Sequence, residues 1–208
     1  MTTGIYGHPG MGLSHHTHYG TAYTRTAGSA GEFTTAMILD GFAGHAAIFH
    51  DLTLPGGYGN IDHAVLTGNR LLLIDSKNWA AGRYWNIGKA YFRNWEHRDP
   101  PSNALANAHR MVSRHLETEG ITLPTPVVAL WSGTQSARHG ITLNFRGEII
   151  GVPVEKTKTA RPFLHYRYPG ARVIPGNDLH KTVTRFIGKR PAAPHRGAAA
   201  TLSTLITK

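Results

Sequence analysis

Residues 59–79 read GNIDHAVLTGNRLLLIDSKNW. Two apolar runs, 61–66 and 70–77, flank Gly68-Asn69, a dipeptide suited to the two-residue turn of a β-hairpin. With those two residues as the turn, every cross-strand pair is set, and Asp62 falls directly opposite Asp75. Period-2 alternation puts Lys77 on the same face as Asp75 and diagonal to Asp62, within reach of a long side chain. The neighbours Val65, Leu66, Leu71, Leu72, Leu73 and Ile74 mark the hairpin as central and largely buried. One face therefore gathers two acids and an amine.

Like charges directly opposite one another destabilise a sheet, so something must offset the repulsion. A hard divalent cation, Mg²⁺ or Mn²⁺, takes carboxylate oxygens, and a neighbouring lysine can steady a phosphate and orient or deprotonate an attacking water. That combination suits phosphodiester hydrolysis. The same residues also admit a plain polar sheet face with Asp62 in a salt bridge, because D-x-K tripeptides are common by chance. The tight register favours the metal site.

Working outward, residues 30–40 carry Phe33, Ala36, Met37 and Leu39 at helical spacing, and Gly41 stops the helix. Residues 45–54 form a strand ended by Pro55-Gly56-Gly57. Downstream, 83–94 alternate aromatic and polar residues around Ile87-Gly88, a peripheral hairpin in which Tyr84, Trp85 or Tyr91 either fill core or stack on bases. A helix is expected over 100–119, with Asp99 as N-cap, Pro100 in the first turn and Gly120 as terminator. Its apolar stripe includes Leu105, Ala108, Met111, Val112 and Leu116, and Asn103, Asn107, Arg110 and Arg114 line the opposite, basic face.

Residues 125–131 are a continuous apolar run, as in strands buried on both faces. A hairpin about Arg146-Gly147 and a helix over 177–187 complete the pattern. The fold class is α/β, a central mixed β-sheet flanked by helices in αβββαβ order. Residues 1–28 read as a flexible Gly/His-rich arm, 29–189 as the domain and 190–208 as an Ala/Pro-rich tail. His15, His16 and His18 in the arm offer an alternative metal site, but they lack the i, i+4 spacing of a helical zinc pair.

Composition bounds the partners. The 208 residues hold 22 Lys+Arg against 12 Asp+Glu, a formal charge of +10, which favours a polyanion such as nucleic acid. Forty per cent hydrophobic residues suffice for an ordinary core. No apolar run approaches the roughly 18 residues of a membrane span. Residues 1–20 have no basic region followed by an apolar stretch and do not read as a secretory signal, and the absence of cysteine excludes disulfides, thiolate zinc sites and cysteine nucleophiles. A cytoplasmic protein is expected.

Gly31-Glu32, His50-Asp51-Leu52-x-Leu54-Pro55, Asn60-Ile61-Asp62-His63 and Ile74-Asp75-Ser76-Lys77-Asn78-Trp79, followed by Gly82, resemble the NERD (nuclease-related) domain of the PD-(D/E)xK nuclease superfamily. The resemblance spans about 29–119. It implies a restriction-endonuclease-like core, with a divalent metal held by Asp62, Asp75 and the Ser76 backbone carbonyl. Lys77 becomes the catalytic lysine and Glu32 the acid contributed by the first helix. Glu32 also fits a capping box with Ser29.

Where the family often carries Asn-Pro-x-x-Gln, this chain has Asn103-Ala104-Leu105-Ala106-Asn107, a shorter amide at the last position. Asn103, Asn107, Arg110 and Arg114 then form either a DNA-contacting face or a solvated one. His63 points away from Asp62 as a hydrogen-bonded structural residue, and Trp79 packs to close the sheet edge. The expected activity is that of a Mg²⁺- or Mn²⁺-dependent DNA endonuclease or nickase, acting on duplex or single strands. A non-catalytic DNA-binding module of a repair or plasmid-transfer complex is the rival. No membrane is involved, and a homodimer is left open.

Overall fold

A computed structural model describes residues 3–10, 22–54, 60–79, 84–87, 89–93, 95–132, 139–143, 149–153 and 168–206. Pro55-Gly56-Gly57, Gly82, Arg146-Gly147 and the histidines at 15, 16 and 18 lie outside the described residues. The sequence elements arrive in the order β1 (Gly4–Tyr6), α1 (Ala22–Asp40), β2 (Ala47–Thr53), β3 (Asn60–Thr67), β4 (Arg70–Trp79) and the small strands β5 (Tyr84–Ile87), β6 (Ala90–Arg93) and β7 (Glu96–Arg98). Then follow α2 (Ala104–His115), β8 (Val127–Ser132), β9 (His139–Leu143), β10 (Ile149–Pro153), β11 (Arg172–Pro175), α3 (Leu179–Ile187) and α4 (Arg196–Ser203).

The fold is α/β, with a mixed six-stranded sheet in the order β1-β2-β3-β4-β8-β11. β2, β3 and β4 form an antiparallel meander, while β1–β2, β4–β8 and β8–β11 pair in parallel. The β3–β4 register is the one dictated by the Gly68-Asn69 turn, running from Thr67 opposite Arg70 to His63 opposite Ile74. Gly68 adopts φ +53°, a conformation glycine takes without steric cost. Strand β8 lies between two parallel neighbours and is buried from Val127 to Leu130, which is why its sequence is uniformly apolar.

Two apolar layers sandwich the sheet. On one face Leu39 of α1 and Phe42 in the turn after it meet Leu179, Val183 and Phe186 of α3 over Ile48, Val65, Leu72, Ile74 and Ala129. On the other, Leu105, Ala108 and Val112 of α2 and Ala198, Ala199 and Leu202 of α4 cover Phe49, Leu66, Leu73, Val128 and Leu130. Among the described residues no helix is long and apolar enough to cross a membrane.

Several expectations are corrected. The segment expected to be an arm contributes β1, paired with Ala47–Phe49 of β2, and the first turns of α1. Its glycines mimic breakers, but Gly31 lies inside the helix because a Cβ there would come within 3.2 Å of Asn78 Cβ and 3.3 Å of Trp131 Cδ1. The buried face of α1 is also not the apolar one: Phe33 and Met37 are exposed, while Glu32, Thr35, Ala36 and Leu39 are buried.

Helix α2 starts at Ala104 rather than near Pro100, with Ser102 Oγ accepting the Ala104 N–H at 3.0 Å. Pro101 disfavours helical backbone at the residue before it, so Asp99 cannot cap a helix there. Gly120 does end the region, at φ +63° after a single 3-10 turn. The expected Ala/Pro tail contains α4, whose small side chains allow close approach while giving little apolar pattern. Backbone bonds His195 N–H to Gly68 O (2.8 Å) and Thr53 N–H to Leu205 O (2.7 Å) clamp it across the β3–β4 turn and β2. Trp79 packs at the end of β4, a central strand, so it closes no sheet edge. Tyr91 is buried in the core and is not free to stack on bases.

Candidate active site at the parting of β3 and β4

The antiparallel ladder between β3 and β4 stops at His63–Ile74. Beyond it the two strands part, and the Ser76 N–H that a further pair would have used is taken by Asp62 Oδ2 at 2.7 Å. Asp62 and Asp75 thus lie one residue past the last rung, where the strands part, and the direct pairing expected of them is replaced by the bond from Ser76 N–H to Asp62. Lys77 Nζ lies 2.8 Å from Asp75 Oδ1 and 2.7 Å from Oδ2, bridging the carboxylate, and 3.4 Å from the Ser76 carbonyl.

Alternation along β4 is visible in its partners. Ser76 Oγ bonds Thr35 Oγ1 of α1 at 2.7 Å, and Trp131 Nε1 donates to the same hydroxyl at 2.9 Å. Ser76 therefore faces α1, and the pleat turns Asp75 and Lys77 to the face that carries α2. Thr35 is fully buried, so this three-way polar contact fixes α1 against the end of β4 where the acids sit.

Burial and like charge dominate the electrostatics. Burial, and next the Asp75 charge, push the Asp62 carboxyl well above the usual carboxylate range, with Lys77 and the Ser76 N–H opposing. Glu32, on α1, is raised to about 7, chiefly by burial, with Lys77 lowering it and Asp51 and Asp75 raising it. Burial works to lower the Lys77 ammonium, yet Asp75 and Asp62 outweigh it and hold the group above the ordinary lysine range. Lys77 thus stands beside the acids as an ammonium, its charge matched to theirs.

The capping-box reading of Glu32 is also removed. Helix α1 begins at Ala22, so residues 29 and 32 both lie inside it and no free N-terminus is left for them to cap.

Two residues near the acids were not singled out in the sequence. Asp51, buried, has φ +59°, and the constant β2–β3 register around it, His50–His63 and Leu52–Ile61, places it beside Asp62. Asp51 and Asp75 both act on the Glu32 carboxyl, so the acids of β2, β3 and β4 meet at this end of the sheet. The signal was available: pairing 45–54 antiparallel to 61–66 aligns the two aspartates. Tyr168, buried and raised to about 12 by burial and then by Asp75, comes from far along the chain, and no local pattern announces it.

His63 faces away from the acids, as alternation predicts. Its Nδ1 is 2.8 Å from His50 Nδ1, and His50 Nε2 is 2.9 Å from Asp40 Oδ1. Since a carboxylate only accepts, His50 donates through Nε2 and accepts at Nδ1, and His63 donates through Nδ1. That leaves His63 Nε2 as a buried lone pair without a partner, and burial drives the ring's pKa well below its normal value.

On α2, Asn103 is the exposed N-cap, Asn107 is half-buried and Arg110 and Arg114 are exposed. The Arg110 guanidinium donates to Asn107 Oδ1, engaging the shortened amide. Gly170, at φ +64°, brings the Tyr168 segment against Ala106, so the start of α2 lies next to the site. Among the described residues no three His, Asp or Glu side chains cluster tightly enough to hold a metal unaided. Two carboxylates, Asp62 and Asp75, and the Ser76 carbonyl are the donors at hand.

A family model described as nuclease-related domain, NERD, matches residues 27–131. The chain belongs to the NERD family. The NERD match runs from α1 through β8, so it includes Glu32, Asp62, Asp75 and Lys77 and stops before Tyr168, β11, α3 and α4. No curated protein and no solved structure matches the chain. Membership in NERD makes the fold nuclease-like and the theme nucleic-acid interaction.

Proposed function

We propose that this protein is a Mg²⁺- or Mn²⁺-dependent DNA nuclease, an endonuclease or nickase, with Asp62, Asp75, Lys77 and Glu32 as its working groups. The observation that carries the reading is the pair of carboxylates at the parting of β3 and β4, with the Lys77 ammonium across both oxygens of Asp75. Asp62, Asp75 and the Ser76 carbonyl would hold the ion: the donors are all oxygen, as a hard cation prefers, and Mg²⁺ keeps several waters in its remaining positions. When bound, the ion polarises a phosphoryl oxygen and lowers the pKa of a coordinated water.

The chain supplies the rest. Lys77 keeps its proton and offers fixed positive charge where a phosphate gains negative charge. Glu32, raised to about 7, exchanges its proton near neutrality and suits the orientation or deprotonation of a water. The Tyr168 phenol stays protonated and can donate a hydrogen bond. Asn103, Asn107, Arg110 and Arg114 serve as the adjoining contact face for the DNA backbone, sequence-independent as phosphate contacts are.

Mn²⁺ binding by electron paramagnetic resonance and cleavage, measured on the same samples, separates these roles. Asp62→Asn/Asp75→Asn should lose both, whereas Lys77→Met should keep the ion and lose cleavage. Cleavage undiminished in both variants would refute the assignment. A catalytically silent DNA-binding module is the second reading, favoured by the lack, among the described residues, of three clustered ligating side chains. It predicts DNA binding with no metal-dependent scission.

A further inference from the structure

We propose that a hollow between α3, β11 and the start of β4 is a second nucleic-acid-binding surface, taking backbone phosphates apart from the candidate cleavage centre. The hollow encloses about 440 Å³, with Leu72 and Phe186 as its floor and Thr125, Thr182, Arg172 and Arg185 around it, and no acidic side chain lines it. Arg172 and Arg185 are exposed, and among the described residues no carboxylate pairs with either. The Arg70 guanidinium lies 4.6 Å from the centroid of the Phe186 ring, so a third cation borders the same wall. Lys181, four residues before Arg185 on α3, adds a fourth on the same helical face.

Guanidinium groups without counterions, held beside two hydroxyls, match a phosphate by geometry as well as charge, since the arginine fork binds it through two parallel hydrogen bonds. Several cations along one wall suit a polymer with regularly spaced charges better than a single small anion. Position makes the surface distinct. Leu72 and Phe186 belong to the layer under α1 and α3, whereas Arg110 and Arg114 lie on α2 across the sheet. Leu72 also stands at the opposite end of β4 from Lys77. Arg172 and Arg185 fall beyond the NERD match, so this chain's C-terminal elements supply the two cations of the hollow while Leu72 and Thr125 come from the matched region.

The surface requires nucleic-acid binding but not cleavage, and it is tested in the full chain in EDTA, where scission does not enter. Fluorescence anisotropy with a labelled DNA duplex over a range of salt reads both affinity and its salt dependence. Arg172→Gln/Arg185→Gln should weaken binding by a similar factor for unrelated sequences and flatten the log K against log salt slope by about 1.8, two phosphate contacts at roughly 0.9 each. Thr182→Glu, placing a carboxylate in the hollow, should weaken binding in the same sense, with thermal unfolding of all variants at the wild-type midpoint. Affinity and slope unchanged in both variants would overturn the proposal. So would loss of binding to a polyglutamate probe with duplex binding intact, which would assign the hollow to an acidic protein partner.

Discussion

Glu32 shows how the site is held against its own electrostatics. Its folded pKa of about 7, against 4.5 in a free side chain, means that between those values the native state binds more protons than the unfolded one. Stability therefore falls as pH rises through that window and stays lower above it. Glu32→Gln removes the cost. Urea unfolding should show the variant more stable than wild type at about pH 8, by up to about 3 kcal/mol, with the gain vanishing near pH 4.5. The same variant should lose most of its metal-dependent cleavage. No gain at about pH 8 would mean that the carboxyl ionises as freely in the fold as in solvent.

Asp51 makes a related point about what a sequence reveals. Its neighbour across the sheet follows from strand register, but its left-handed φ does not, because Asp is compatible with both extended and left-handed backbone and the apolar run around it reads as plain strand.

Among the elements, β2 and β3 carry the buried pair His50 and His63, tied to the part-exposed Asp40 at the end of α1. His63 is kept neutral in the fold by burial, so below the ordinary histidine pKa of 6.5 it takes up a proton only on unfolding. Stability should decline as pH drops below about 6.5, with this ring contributing up to about 1.4 kcal/mol per pH unit. His63→Gln should flatten that slope in calorimetric unfolding; an unaltered slope would place the titrating group elsewhere.

Close packing sets two further expectations. Gly31→Ala brings a methyl to 3.2 Å from Asn78 Cβ and 3.3 Å from Trp131 Cδ1, so those side chains must give by a few tenths of an ångström, and thermal unfolding should show none of the gain of about 1 kcal/mol that Gly→Ala brings inside an unhindered helix. Leu202→Ala in α4 should cost about 2–5 kcal/mol in urea unfolding, because that side chain is fully buried despite its place in a segment that reads as a tail.

Legibility differed among the elements for physical reasons. Gly68-Asn69 fixes the register from Thr67–Arg70 to His63–Ile74, so the end of the ladder, beyond which Asp62 and Asp75 lie, could be located from numbering alone. Gly31 mimics a helix boundary when it in fact permits close approach, and Ala198 and Ala199 carry almost no pattern. Tyr168 joins the acids only through the tertiary path of the chain.

Over the whole molecule, a net charge of +10 is divided by the sheet. Arg110 and Arg114 lie on the α2 side, and Arg172 and Arg185 on the α3 side. The acids concentrate in the opposite sense, with Glu32, Asp51, Asp62 and Asp75 drawn together around Lys77. A cationic shell that attracts a polyanion, around an acidic centre that repels it, is productive only when something positive offsets the centre. The decisive measurement is incubation of supercoiled plasmid with the wild-type protein, with Mg²⁺ and with EDTA, beside Asp75→Ala. Relaxed or linear DNA should form only with wild type and Mg²⁺, while Asp75→Ala stays folded and inert. Cleavage that persists in EDTA or in Asp75→Ala, or plasmid bound but left intact with Mg²⁺, would contradict metal-dependent hydrolysis at this site.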